Sequence, residues 1–185
     1  FTPSHGLCQG DPSSPYLFIL CMERLALRVN ELTNEGSWKQ IHLSKKGPPL
    51  SHLLFADDVV LFCEASELQA HVMTLALEEF CLASGMKVNL DKSKFVISKG
   101  VSSSRVEDIS HILGIEHSTR IKSYLGVTML QGKTKIVDFN QLLDRVNNQV
   151  ASWKNKLLNK AGRLCLIKST LTSILVYILQ SLWIP

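Results

Sequence analysis

The sequence has no CxxC pair, no internal repeat, no low-complexity tract and no run of about 20 apolar residues. Its five cysteines (Cys8, Cys21, Cys63, Cys81, Cys165) are odd in number and widely spaced. A disulfide framework or a zinc site therefore has little support, and a reducing compartment is the expectation. The longest uncharged stretch, Ser169 to Pro185, is 17 residues with Ser, Thr and Gln inside it, which reads as a buried helix and not as a membrane span. No basic segment followed by an apolar one opens the chain, so no signal peptide is expected. A chain that starts at Phe1 reads as an excerpt of something longer.

What is present is ordinary for a globular protein: 185 residues, 45% hydrophobic and 19% charged. That composition excludes intrinsic disorder and is enough for one domain or slightly more. The formal charge is +4, but it is unevenly spread. From Lys133 onward, eight basic residues face two acids, Asp138 and Asp144, for a local +6, and the first 132 residues sum to −2. A basic segment beside a slightly acidic body suits a polyanion-binding element. Ordinary solvated helix faces carry the same charges.

The apolar residues Phe18, Met22, Leu25, Val29 and Leu32 recur at helical spacing behind Pro12 and Pro15, predicting a helix from Ser14 to about Asn30. Residues 36–49 read as a loop with one short strand, Lys39 to Leu43. Two apolar runs, Leu50 to Phe55 and Val59 to Phe62, flank Ala56-Asp57-Asp58 and predict a hairpin with acids at its tip. Ser66 and Gln69 form a capping-box pattern that opens a second helix. Leu68, Val72, Leu75 and Ala76 give this helix its stripe, and Gly85 is its stop. Met86-Val88-Leu90 and Phe95-Ile97 alternate around Asp91-Lys92-Ser93, predicting two short strands flanking a turn. Ser102 to Leu113 is a helix ended by Gly114, and Tyr124-Leu125-Gly126-Val127 is a strand containing a glycine. Phe139, Leu142, Val146, Val150, Trp153 and Leu157 form one long helical stripe. Leu164, Ile167, Leu171, Ile174, Ile178 and Leu182 form another, with a break at Asn159 to Gly162. The expected class is α+β, an antiparallel sheet with helices on one face followed by an all-helical segment. The domain boundary is expected near Gln131 to Lys135, giving residues 1–132 and 133–185.

Asp57 and Asp58 are the chemical centre of this reading. Burying adjacent carboxylates between apolar strands is costly unless a cation neutralises them. Hard divalent ions take such oxygens while keeping water or phosphate ligands, and the corresponding chemistry is phosphoryl transfer. A solvated turn would carry the same residues for its own backbone hydrogen bonds.

The pair stands within a series. The block His5-Gly6-Leu7-Cys8-Gln9-Gly10-Asp11-Pro12-Ser13-Ser14-Pro15-Tyr16-Leu17-Phe18 precedes Leu54-Phe55-Ala56-Asp57-Asp58. Ser84-Gly85-Met86-Lys87-Val88-Asn89-Leu90-Asp91-Lys92-Ser93-Lys94 and Tyr124-Leu125-Gly126 follow. In this order and spacing the chain resembles the reverse transcriptase of LINE-type, non-LTR retrotransposons, most closely those of plant genomes. The four blocks correspond to the family's motifs B, C, D and E, and residues from Trp153 onward resemble the start of its thumb. The resemblance covers nearly the whole chain, and several motifs in order are far more specific than any one of them.

The resemblance implies a polymerase palm that adds dNTPs to a DNA primer on an RNA template, with magnesium, or manganese in its place. Asp57 matches the family's metal-ligating carboxylate, and Asp58 supports it as the second candidate ligand. Gln9, Gly10, Phe55 and Ala56 match positions at the nucleotide and template. Lys92, with Lys94 as its neighbour, matches a lysine that gives a proton or a positive charge to the leaving pyrophosphate; a solvated turn lysine would look the same. Tyr124, Leu125 and Gly126 match the primer grip. Lys154, Lys156, Lys160 and Arg163 would track the nucleic-acid backbone with little sequence preference. No membrane partner is implied, and the family's life cycle implies nuclear and cytoplasmic locations.

Two departures stand out. Cys8 occupies a position where the family usually carries Arg, and Ser13 one where it carries Leu. The family's motif A, which supplies a further metal-binding Asp, lies outside this sequence. The isolated chain is therefore expected not to polymerise, leaving a decayed relic or a non-catalytic nucleic-acid-binding module as the alternative readings.

Overall fold

The computed structural model describes residues 10–121, 123–125, 127–128, 139–154, 159–173 and 176. The chain divides into two compact units, Phe1–Thr119 and Arg120–Pro185.

The first unit is built on α1 (Ser14–Asn34), whose Met22, Leu25, Val29 and Leu32 are buried as their spacing predicts. The helix runs past its expected end because Gly36, at φ +78°, supplies the left-handed stop. Gly36 N–H donates to the Thr33 carbonyl at 3.0 Å, and Ser37 N–H to Leu32 at 2.9 Å. This reversal drops Trp38 into the core, 2% exposed, where its Nε1–H donates to the Phe62 carbonyl at 2.9 Å.

Residues 36–49 hold β1 (Ile41–His42), paired antiparallel with β2 (Pro49–Leu50). Next come β3 (His52–Phe55) and β4 (Asp58–Leu61), an antiparallel hairpin in the register His52↔Leu61 to Phe55↔Asp58. Its inward residues Leu54 and Leu61 pack on the cluster of Met22, Leu25, Val29, Leu32, Trp38 and Ala76. Helix α2 (Glu67–Ser84) completes that cluster through Ala76, with Val72, Met73, Leu77 and Phe80 half-buried beside it. Burying each large apolar side chain here contributes about 1.5–3 kcal/mol.

The start of α2 corrects half of a prediction. The Ser66 hydroxyl accepts the Gln69 N–H at 3.3 Å, as a cap should. The Gln69 side chain does not return to Ser66. It is 1% exposed and bridges the 36–40 connection, accepting from Lys39 N–H and donating to the Ser37 carbonyl, both at 2.8 Å. The apolar stripe also shifts. Leu68 and Leu75 are exposed, whereas Ala76 is buried as expected, with Gln69 and Ala70 buried beside it. Gly85 ends the helix at φ +71°, as expected.

After α2 the two expected strands reduce to β5 (Lys94–Phe95), and residues 86–89 form none. β5 pairs in parallel with β6 (Glu116–His117), which follows α3 (Ser103–Leu113) and its left-handed stop Gly114. The partner of β5 thus comes from beyond a helix, the ordinary route to a parallel pair. Helix α3 packs on α2 and buries Ile109.

In the second unit, β7 (Ser123–Tyr124) pairs antiparallel with β8 (Val127–Thr128), in the register Tyr124↔Val127. The expected single strand is therefore a tight hairpin. Helix α4 (Asn140–Lys154) follows, then α5 (Lys160–Leu166), which continues into a π turn at Ile167–Leu171. Asn159 caps α5 by accepting the Gly162 N–H at 2.8 Å, so residues 160–162 begin a helix instead of breaking one. Leu157, Ile174, Ile178 and Leu182 of the predicted stripes lie outside the described residues. Among the described residues no helix is long and apolar enough to cross a membrane.

The class is α+β, and the strands of the described residues form four two-stranded ladders, three antiparallel and one parallel.

Candidate active site

The β3–β4 hairpin turns on two residues, Ala56 and Asp57, between the closing pair Phe55 and Asp58. A two-residue loop needs positive φ, and Ala56 supplies it at +49°, a conformation a side chain disfavours. Strand alternation then fixes which groups face out. Leu54 and Leu61 anchor the base on the core, while Phe55, Ala56, Asp57 and Asp58 are exposed together at the tip. The carboxylate pair is thus presented to solvent and not buried, because the loop projects past the α1–α2 core. A short, core-anchored hairpin limits how far the two acids can wander.

At the other end of α1, Gly10 has φ +92°, and no atom stands within 4 Å of where a Cβ would lie. Backbone conformation, not crowding, is what calls for glycine there. Asp11 then starts the helix, a role the sequence reading missed. Its Oδ1 accepts the Ser13 N–H at 2.7 Å, and its carbonyl accepts the Ser14 N–H at 3.1 Å, while Ser13 makes no side-chain cap. Gln9 and Cys8 lie outside the described residues.

The structure separates the two candidate lysines. The Lys94 ammonium is ion-paired with Glu116 across the parallel ladder. That hydrogen bond and charge hold the Glu116 carboxyl below its ordinary pKa. Lys92 sits exposed on a turn that Asn89 organises. The Asn89 Oδ1 accepts the Lys92 N–H at 3.1 Å, and the Asn89 carbonyl accepts the Ser93 N–H at 3.1 Å and the Ser93 hydroxyl at 2.8 Å. Asn89 and Glu116 were not singled out from sequence. The Asn-x-x-Lys spacing was the available signal for the first, and none pointed to the second.

Tyr124 and Leu125 stand at the turn of the β7–β8 hairpin, where Leu125 takes φ +49°, the same left-handed value as Ala56. Lys160 and Arg163 are exposed on α5, and Lys154 ends α4. Gly126 and Lys156 lie outside the described residues. These residues belong to the second unit, whereas Asp57, Asp58 and Lys92 belong to the first.

Two groups beneath the tip have shifted pKa values. Burial holds His52, at the base of β3, below its ordinary value of 6.5, partly opposed by Glu23 on α1. Burial also pushes the Cys63 thiol up to about 11. Asp57 and Asp58 are the right kind of donor for a hard cation. Among the described residues, however, no three His, Cys, Asp or Glu side chains come together to hold a metal ion. The described residues alone do not make a complete metal site.

An α+β body carrying an acidic hairpin tip, followed by a helical segment, is consistent with a partial polymerase palm and a helical segment after it. The profile of the reverse transcriptase (RNA-dependent DNA polymerase) family matches residues 1–129, and the chain belongs to that family. It is 53% identical over 57 residues to an uncharacterized mitochondrial protein of Arabidopsis thaliana, a stretch covering 31% of this chain and 47% of that protein. It is 37% identical over 101 residues to the retrovirus-related Pol polyprotein of the type-2 retrotransposable element R2DM of Drosophila melanogaster, covering 54% of this chain and 9% of the polyprotein. The matched stretches are thus less than half of either relative.

Proposed function

We propose that this chain is a palm-and-thumb portion of an RNA-directed DNA polymerase from a plant non-LTR, LINE-type retrotransposon, dividing as residues 1–132 and 133–185. The observation that carries the reading is the exposed Asp57-Asp58 tip on a core-anchored hairpin, within a chain whose residues 1–129 match the reverse transcriptase family. In the parent enzyme, Asp57 and Asp58 contribute to holding magnesium, with manganese able to replace it. Gln9, Gly10, Phe55 and Ala56 line the nucleotide and template, and Tyr124, Leu125 and Gly126 approach the primer terminus. Lys154, Lys156, Lys160 and Arg163 bind backbone phosphates, with affinity that falls as salt rises. Lys92 is the better candidate than Lys94 for a charge or proton at the departing pyrophosphate, since Lys94 is already paired with Glu116.

Polymerisation requires at least one further carboxylate beside the tip, which the described residues do not supply. We infer that the isolated chain is inactive as a polymerase, a reading supported by the sequence's lack of a motif A counterpart. The experiment is magnesium-dependent primer extension on an RNA template by this chain and by a longer polypeptide carrying an upstream segment with a motif A aspartate, each with an Asp57→Asn control. Extension by the longer polypeptide alone, abolished by Asp57→Asn, supports the reading. Silence from both points to a decayed relic, and Asp57-dependent extension by the short chain would show that the two carboxylates suffice. Salt-sensitive, sequence-indifferent nucleic-acid binding without extension would favour the binding-module reading, which the +6 charge of residues 133–185 supports.

A further inference from the structure

Helix α2 is apolar on two sides, and among the described residues it packs on α1 and α3 with one of them. Toward α1 and α3 it buries Ala70 and Ala76, with Met73, Leu77 and Phe80 half-buried around them. On the opposite side Leu68, Leu75 and Leu82 are 65%, 58% and 87% exposed. Their seven-residue spacing places all three within about 40° of one another around the helix, a straight ridge. His71 and Glu78 are both exposed and lie on the same flank of that ridge, within about 20° of each other. Neither has an ion-pair partner among the described residues.

The pattern Leu68–His71–Leu75–Glu78–Leu82 is self-complementary about its centre. A two-fold axis through Leu75, perpendicular to the helix and lying in the interface, sets Leu75 on its own copy and Leu68 on the mate's Leu82. The same operation keeps each flank on its own side and reverses its direction. His71 of one copy thus comes within one residue rise, about 1.5 Å along the axis, of the level of the mate's Glu78. Each contact then pairs a base with an acid, twice over. A parallel pairing would carry this flank of the mate to the opposite side of the ridge, so His71 and Glu78 would form no pair across it. An isologous antiparallel contact is therefore the arrangement that the ridge and its charges select.

We propose that α2 is a homodimerisation surface, on which the Leu68/Leu75/Leu82 ridge packs antiparallel against the same ridge of a second copy and His71–Glu78 pairs fix the direction. The proposal does not depend on polymerase activity. The ridge belongs to one helix, so the interface is at the small end of the range for specific contacts and the association is weak.

Sedimentation velocity of the full chain from about 1 to 200 µM tests this, since weak contacts of this size populate dimers in that range. A reversible monomer–dimer equilibrium is expected. Leu75→Glu should weaken it at least about tenfold while leaving the circular dichroism spectrum unchanged, because an exposed leucine contributes little to the monomer. His71→Glu should weaken it at least about threefold, and the swap His71→Glu with Glu78→Arg should restore it to within about twofold, since the swapped pair is again complementary. A chain that stays monomeric throughout the range overturns the proposal. So does a dimer indifferent to both Leu75→Glu and His71→Glu. Should Leu75→Glu unfold the chain, the charge swap at the two exposed polar positions decides alone: restoration supports the antiparallel contact, and its absence overturns it.

Discussion

Gln69 reaches back across the chain to Lys39, its Oε1 accepting the Lys39 backbone N–H at 2.8 Å from a side chain 1% exposed. Its Nε2 donates to the Ser37 carbonyl at the same distance, so one carboxamide satisfies two backbone groups of the turn that seats Trp38. Removing it takes away both hydrogen bonds, although Ser37 and Lys39 are themselves exposed and water can reach their backbone groups. Gln69→Ala should cost about 1–3 kcal/mol of folding stability, since each lost hydrogen bond contributes about 0.5–1.5 kcal/mol. Gln69→Glu should fall between, because it keeps the acceptor but loses the donor. Urea denaturation followed by Trp fluorescence measures both. A loss below about 1 kcal/mol for Gln69→Ala would mean that the bridge does not organise the turn.

Ala56 carries a Cβ at φ +49° in the loop that presents Asp57. Left-handed backbone costs a non-glycine residue about 1–2 kcal/mol, whereas glycine gives up roughly half of that gain in unfolded-chain entropy. Ala56→Gly should therefore leave stability unchanged or raise it by up to about 1 kcal/mol, and Ala56→Val should lower it by at least about 1 kcal/mol. Thermal denaturation of the pair checks the order, and a valine variant as stable as the alanine parent would mean that the loop does not hold this conformation in solution.

Much of the first unit was legible in the sequence because its signals are local. Helical spacing marked α1, Ser66 and Gly85 marked the ends of α2, and the paired apolar runs marked the acidic hairpin. Three features escaped, each through competition beyond the local window. Gln69 reads as half of a capping box, but the unpaired groups at Ser37 and Lys39 claim its side chain. Leu68 and Leu75 read as core, yet of that stripe it is Ala76 and Val72 that meet the core, joined by the unexpected Gln69 and Ala70 on the buried side. Strand β5 finds its mate at Glu116–His117, past a whole helix, where no periodicity in residues 86–97 could announce it. The same limit applies to the site. Adjacent acids at a tip can be read from the chain, but what fixes Lys92 is the fold around Asn89, and what ties down Lys94 is Glu116 on a distant strand.

His52, at the base of the same hairpin, is hydrogen-bonded through Nδ1 to the Ser51 hydroxyl at 3.0 Å, and burial holds its pKa below 6.5. A folded-state value below the unfolded one means that the unfolded chain takes up the proton first. Folding is unpenalised above pH 6.5, loses stability as the pH falls through that value, and levels off once the folded-state pKa is passed. His52→Gln removes this step. Thermal midpoints at about pH 7.5 and 5.5 should differ less for the variant than for the parent. Equal differences would show that His52 titrates in the fold as it does in the unfolded chain.

The cysteines give an independent readout of packing. Cys63 sits against the core cluster with its thiol pushed up to about 11 by burial, so near pH 8 almost none of it is thiolate, the form that reacts. Cys165 is exposed on α5. Iodoacetamide at about pH 8, followed by peptide mass spectrometry, should label Cys165 at least about tenfold faster than Cys63 in the native chain. The two rates should converge in urea, because unfolding removes the burial that raises Cys63. The comparison is internal to one molecule, so reagent and buffer effects cancel. Rapid native labelling of Cys63 would mean that the seam between the β3–β4 hairpin and the helical core opens in solution, and the Asp57-Asp58 tip would then lack the rigid base on which the proposed polymerase site depends.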